Sequence, residues 1–370
     1  MVNENVLEKE YGLKNNPFFD SSRNVGVIDR TEIRNKLSGT FKQFFGYSAP
    51  EFLFITGQYG VGKSTLLMEI NKEILAENKE YFEKGLVSAY FKAIPPKVPS
   101  DYILYLYSSL VSSLKKTFFE EIRNKLSNIT KNSTTNTNDI KTAILKLNDT
   151  PLAWKYLCAT NLSKSELSEL GVSKNIEDND SAENSLVSLL EILFETGYKQ
   201  TILLIDEFEN IFTLTGGKKA AQILLIFREI FDRITTELKQ TQKSLSQLIF
   251  VFASSSATTS DLQKLMFEYE GVKPFYDRIL QKAFVLPGFS RDDTKQLIIK
   301  YLKSSRNKDI ANDLFPFKDD YIDWVQKVSQ GIPRFILQYS GIILDSATDR
   351  KLKEISESDA KTIYSEESLI

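Results

Sequence analysis

The sequence contains no histidine. That absence excludes Ser-His-Asp and Cys-His catalysis, histidine-bearing zinc sites and histidine proton shuttles. Any reaction must run on carboxylates, hydroxyls, amines, guanidinium groups or a metal held by oxygen ligands. Cysteine is nearly absent too: Cys158 is the single thiol and cannot form an internal disulfide. No apolar stretch approaches the roughly 18 residues that suggest a membrane span. The opening Met1-Val2-Asn3-Glu4-Asn5 lacks the basic-then-apolar order of a secretory signal. The expectation is a cytoplasmic protein with no membrane partner. Charge of one sign is missing as well. With 47 basic and 49 acidic residues the net charge is −2, which excludes a globally basic nucleic-acid coat and leaves room for a local patch.

What remains suffices for a large domain with an appendage, or for two domains: 370 residues, 42% hydrophobic and 26% charged. Aromatic and β-branched runs predict strands at Glu51–Thr56, Leu86–Phe91, Thr201–Ile205, Leu248–Ala253 and Ala283–Leu286. Helical apolar spacing falls between them, over Leu66–Ala76, Tyr102–Leu114, Ser185–Phe194 and Ala220–Leu238. Strands separated by helices call for a parallel sheet covered on both faces. From Arg291 onward the pattern is helical throughout, broken at Pro316 and Gly331-Ile332-Pro333, so a small all-helical domain should follow. The polar run Ser127–Asn138 reads as a mobile loop opening a helical insertion near 120–182. The expected partition is an N-terminal extension over 1–44, a core over 45–288 and a helical lid over 289–370.

Gly57-Gln58-Tyr59-Gly60-Val61-Gly62-Lys63-Ser64 fits G-x-x-x-x-G-K-[ST], between a predicted strand and a predicted helix, with Thr65 continuing it. The chemistry needs these types. Glycines let the backbone fold tightly enough for consecutive N–H groups to face phosphate oxygens, and a helix start adds its positive end. Lys63 would reach the β- and γ-phosphates, and the Ser64 hydroxyl would ligate Mg²⁺. The bland alternative, a glycine-rich turn before a helix, explains neither the lysine nor the hydroxyl.

A second signal lies at Ile202-Leu203-Leu204-Ile205-Asp206-Glu207, an apolar strand ending in two acids. In parallel sheets ligands bind beyond the carboxyl ends of the strands. Asp206 would hold Mg²⁺ through a water, and Glu207 would orient and deprotonate the attacking water. Alone, the pair could be a solvated acidic turn; with the phosphate loop upstream the catalytic reading is preferred. Glu209 is expected to be a surface acid.

The order of phosphate loop, Asp206-Glu207, a polar strand end and Gly331-Ile332-Pro333-Arg334 resembles the AAA+ ATPases. It is similar in detail to the branch of origin-recognition and Cdc-type initiators, transposition-regulator ATPases and BREX-type ATP-binding proteins. That resemblance implies a five-stranded P-loop NTPase core with a helical lid, acting as an ATPase. It further implies that Asn16-Pro17-Phe18 and Val27-Ile28-Asp29-Arg30 line the adenine side. Ser255 falls at sensor one, within a run Ser254-Ser255-Ser256 that leaves the residue open. Arg278, in Tyr276-Asp277-Arg278-Ile279, matches the arginine finger, and Arg334 matches sensor two. Either arginine could instead be structural: a surface cation, or a residue of a helix started by Pro333.

Initiators of this branch continue into a winged helix. The stretch from Arg334 to Ile370 is shorter than the roughly 40 residues below which domains seldom fold alone, so origin binding of that kind is not expected. Local basic segments exist at Gly216-Gly217-Lys218-Lys219 and at Lys115-Lys116, Arg123, Lys125 and Lys131. A charge run is ordinarily a solvated face; the alternative is contact with a phosphate backbone. The expected activity is ATP-Mg²⁺ hydrolysis driving ATP-dependent self-assembly and regulation of a DNA-acting partner, in a replication, transposition or phage-defence type of process. The rivals are a signalling NTPase switch, a nucleotide-bound scaffold, and an initiator-like ATPase that contacts DNA without a winged helix. Intact Lys63, Ser64, Asp206 and Glu207 argue against the scaffold.

Overall fold

The β-branched and aromatic runs do pair. In a computed structural model of the chain, β1 (Glu51–Gly57), β2 (Leu86–Lys92), β3 (Gln200–Asp206), β4 (Gln247–Ser255) and β5 (Ala283–Val285) form one parallel sheet in the order β2-β3-β4-β1-β5. The structure describes residues 4–19, 30–44, 49–76, 85–130, 138–240, 244–280, 282–307 and 310–367. Every residue of β3 is buried, and all of β4 but its last. Successive side chains point to opposite faces of a sheet, so burial without alternation means that both faces are covered. In register, Lys92 of β2 stands beside Asp206 of β3, which brings two charged strand ends together.

The chain divides into two compact units. One comprises 31–56 and 63–285, the other 1–30, 57–62 and 286–370. The sheet unit is built around aromatic rings: Phe227 meets Phe208, Phe250, Phe252 and Phe275 at centroid distances of 5.1 to 6.1 Å. Removing so large a buried ring leaves a cavity that the surrounding sheet cannot fill. Phe227→Ala should therefore cost about 3–5 kcal/mol, read as a lower urea midpoint at unchanged m-value.

The two ends of the segment expected as a loop are more regular than their composition suggests. Helical backbone runs from Tyr102 to Thr130 with a break at Lys115 (φ 65°), so residues 127–130 are helical, and Asn138 caps the next helix by accepting from the Lys141 amide. Residues 131–137 lie outside the described residues. The polar composition misled because the stripe Phe119, Ile122, Leu126 is fully buried and carries the helix onward. The helices that follow put Ile144, Ala153, Leu157 and Leu170 into the same core as the sheet. The Tyr102 helix also closes an edge. The Ser113 hydroxyl accepts the Tyr90 N–H at 3.0 Å and donates to the Tyr90 carbonyl at 2.9 Å. That occupies backbone groups which an edge strand such as β2 leaves unpaired.

The second unit is helical, with Arg291–Ser305, Asp319–Val328, Pro333–Asp349 and Glu357–Glu366 around a core of their own. Its starts are written locally: Ser290 with Asp293, and Ser356 with Asp359, form capping boxes. The N-terminal helix Glu4–Tyr11 contributes Leu7 and Tyr11 to that core. No helix among the described residues is long and apolar enough to cross a membrane.

Candidate nucleotide-binding site

In the sheet unit, the helix Lys63–Leu75 begins at the motif lysine. A helix start carries N–H groups without intrahelical acceptors and the positive end of the macrodipole. Lys63 is buried, and burial lowers its pKa from the ordinary lysine value, opposed by the negative charges of Glu209 and Asp206. Ser64 is half-buried and Thr65 exposed.

Asp206 closes β3 and is 2% exposed. Its Oδ2 accepts the Tyr90 hydroxyl at 2.9 Å and its Oδ1 accepts the Glu207 amide at 2.9 Å. Burial and the adjacent Asp206 carboxylate raise the Tyr90 pKa, so this hydroxyl remains a donor. Glu207 takes a different set of partners. It sits at φ 53°, a left-handed backbone that costs a non-glycine residue on the order of 1–3 kcal/mol. Its Oε1 is 2.7 Å from the Lys92 ammonium, and its Oε2 accepts from the Asn210 side-chain Nδ2 at 3.2 Å. Two consecutive acids are thus held by separate neighbours.

Glu209 is not the solvated acid expected. It is half-buried, and its Oε2 accepts the Ser254 hydroxyl at 2.9 Å and the Ser255 amide at 3.3 Å. Ser254 is fully buried, whereas Ser255, at the very end of β4, is partly open with its Oγ 3.2 Å from Thr258 Oγ1. The serine run at the end of β4 and the turn after β3 are therefore one hydrogen-bonded assembly. Arg278, near the end of helix Lys273–Leu280, stacks 3.9 Å over the Phe231 ring, with Asp232 at 4.0 Å.

The helical unit holds the other motif residues. The loop segment 57–62 turns on Val61, whose amide bonds to the Gln58 carbonyl at 3.3 Å. Gly60, at φ 82°, is required twice: for its backbone, and because a Cβ there would come within 2.9 Å of Arg334 Cβ. Arg334 lies along the loop, donating to the Tyr59 hydroxyl at 2.6 Å with its guanidinium 4.9 Å from that ring. Arg30 braces the same loop, donating to the Val61 carbonyl at 2.7 Å and the Pro287 carbonyl at 2.9 Å. Burial pushes its pKa down to about 10 against the pull of Asp293.

Asn16 and Phe18 spend their side chains inside this unit. Asn16 donates to the Gly341 carbonyl and to Asp345, each at 2.8 Å, while Phe18 packs among Tyr301 and Phe317. Pro17 sits in the turn between them. Val27, Ile28 and Asp29 lie outside the described residues. Sequence reading passed over Tyr90, Lys92 and Asn210. The strand register would have pointed to Lys92, since the ends of neighbouring parallel strands share an edge.

The donors suit a hard cation. Asp206 and Ser64 offer oxygens, and no group of three or more acidic, histidine or cysteine residues forms a metal cage among the described residues. Mg²⁺ is commonly held by one or two protein oxygens plus waters and phosphate oxygens, so this sparse set fits it.

The family described as BREX system ATP-binding protein BrxC/D matches residues 112–331. That span includes Asp206, Glu207, Ser255 and Arg278, begins after the phosphate loop and ends before Arg334. Among solved structures, the chain is similar to the Aeropyrum pernix ORC2 protein in its ADPNP-ADP complexes. The TM-score there is 0.51 and the identity 14%, over 93% of this chain and 71% of that one. The ADP form of the same protein gives 0.51 at 13%, over 96% and 73%. These likenesses establish a shared AAA+ P-loop fold. None of the curated proteins matches the sequence.

Proposed function

The chain belongs to the BREX system ATP-binding protein BrxC/D family, and we propose that it is an AAA+ ATPase that hydrolyses ATP in the presence of Mg²⁺. The observation that carries the reading is Lys63: buried at a helix start, with its charge held by Asp206 and Glu209. A buried lysine with partial carboxylate compensation is suited to receive further negative charge from a triphosphate. The backbone of Gly57, Gln58, Tyr59, Gly60, Val61 and Gly62 would cradle the phosphates, and Thr65 would continue the cradle into the helix. Ser64 and Asp206 would hold Mg²⁺, which supplies charge neutralisation of the phosphate oxygens when bound.

Glu207 is the water-orienting base of this scheme. Lys92 and the Asn210 side chain fix the direction of its carboxylate, which a base aimed at one water requires. Ser255 would report the γ-phosphate from the strand end, and Arg334 from the lid. Asn16, Pro17, Phe18, Ile28 and Arg30 would shape the adenine side, the first three through packing. Glu207→Gln should bind ATP as the parent does while turning over about 10²-fold more slowly. Phosphate release alongside binding of a fluorescent ATP analogue checks both halves. Turnover equal to the parent's would remove Glu207 from its role.

We infer further that ATP promotes assembly with other copies and that the cycle regulates a DNA-acting partner. The match to a BREX system family supports the phage-defence type of process over replication or transposition. Sizing with a non-hydrolysable ATP analogue, with and without DNA, separates this from a monomeric signalling switch. An initiator-like reading, with direct DNA contact through Lys218-Lys219 or Lys115-Lys116, would instead give ATP-dependent DNA binding that weakens steeply with salt.

A further inference from the structure

Two acids leave the turn after β3, and they serve different masters. Glu207 is engaged by Lys92 and Asn210. Glu209 faces the end of β4, where one of its oxygens takes both the Ser254 hydroxyl and the Ser255 amide. It is also the foremost of the carboxylates that sustain the charge of Lys63, ahead of Asp206. The assembly extends one residue further: Thr258 Oγ1 is 2.6 Å from Ser254 Oγ and 3.2 Å from Ser255 Oγ. Four side chains from the β3 turn, the β4 end and the helix Thr258–Glu268 share one network.

A serine hydroxyl is a free rotor, and a strand end is the least restrained part of a strand. A hydroxyl that must sense a phosphate therefore needs its backbone and its rotamer held from outside. The amide of Ser255 and the hydroxyl of Ser254 both donate to a carboxylate, the strong form of such bonds. Thr258, buried beside them, completes the chain.

From this geometry we infer that Glu209 is a positioning residue for ATP hydrolysis: it anchors the β4 end so that Ser255 meets the γ-phosphate, and it acts on the chemical step rather than on nucleotide affinity. The inference rests on the reading of Lys63, Asp206 and Glu207 as an ATPase centre. Its effect on binding follows from charge. A carboxylate beside Lys63 repels an incoming triphosphate but also sustains the lysine charge that attracts it, so the two effects oppose and its removal should leave ATP affinity little changed.

The test compares Glu209→Ala, Glu209→Gln and Ser254→Ala in the full chain, with Glu207→Gln run alongside. Glu209→Ala should lower kcat about tenfold, the scale of a lost hydrogen bond to a charged group, with KM for ATP little changed. Glu209→Gln retains an acceptor for both donors and should recover most of that loss. The double variant Glu209→Ala with Ser254→Ala should be no slower than the worse single one, because both break the same contact. A parental kcat for Glu209→Ala overturns the inference. So does a parallel loss of ATP binding and turnover, which is what a merely structural role would give. If Glu207→Gln itself turns over at the parental rate, the ATPase reading has failed instead, whatever Glu209 does.

Discussion

Arg278→Ala should slow ATP turnover on the order of 10³-fold, the scale of an arginine finger, with nucleotide binding and the urea midpoint little changed. The expectation comes from how loosely the side chain is held. An arginine committed to structure satisfies its donors, because a buried N–H without a partner is costly. Here Nη1 is buried and has no hydrogen-bond partner, and the ion pair with Asp232 sits at 4.0 Å. The stack on Phe231 is the main contact, and such a stack is worth about 0.5–1 kcal/mol at an exposed site. The side chain is 36% exposed. Leaving this position costs little, and a γ-phosphate on another copy would satisfy the unmet donor.

That reasoning yields a sharper measurement than the single variant. If Arg278 acts on a neighbouring copy, turnover per chain rises with protein concentration. Mixing Arg278→Ala with Glu207→Gln should then restore part of the activity, because each copy supplies what the other lacks. No recovery on mixing, or a parental rate for Arg278→Ala, would remove Arg278 from the mechanism and leave it as a cation parked on Phe231.

What the sequence made legible was local. The phosphate loop and the pair Asp206-Glu207 are contiguous, and the five strands announced themselves by apolar runs, which in β3 and β4 bury both faces. The helical character of the region from Arg291 onward showed in its periodicity. The features that escaped are pairings across long separations. Glu209 and Ser254 lie 45 residues apart, Lys92 and Glu207 115 apart, and Arg334 and Tyr59 275 apart. No periodicity links such partners; only the sheet register or the lid packing does. Composition misled at 127–130 for a related reason, since small polar residues stayed helical on the strength of a buried stripe behind them. Asn16 and Phe18 are a further case: the motif does not reveal that Asn16 bonds to Gly341 and Asp345 or that Phe18 packs on Tyr301 and Phe317.

Lys63→Ala should abolish measurable ATP binding at concentrations that saturate the parent. Removing one member of a buried, charge-assisted pair costs about 2–5 kcal/mol, and each 1.4 kcal/mol is tenfold in affinity, so a loss near 10³-fold is expected. The local electrostatics make the loss larger than a deleted contact alone. Asp206 and Glu209 lean on the lysine charge, and without it they face an incoming triphosphate with nothing between like charges. Lys63→Met keeps the stem that fills the buried position and removes only the ammonium. It should therefore match the alanine variant in binding while retaining the parental urea midpoint, which separates loss of the charge from loss of packing. Calorimetry with ATP and Mg²⁺ reads the affinity directly. Parental heats from Lys63→Met would mean that the triphosphate is gripped elsewhere, and the assignment of the loop, the strand-end acids and the two arginines to one chemistry would go with it.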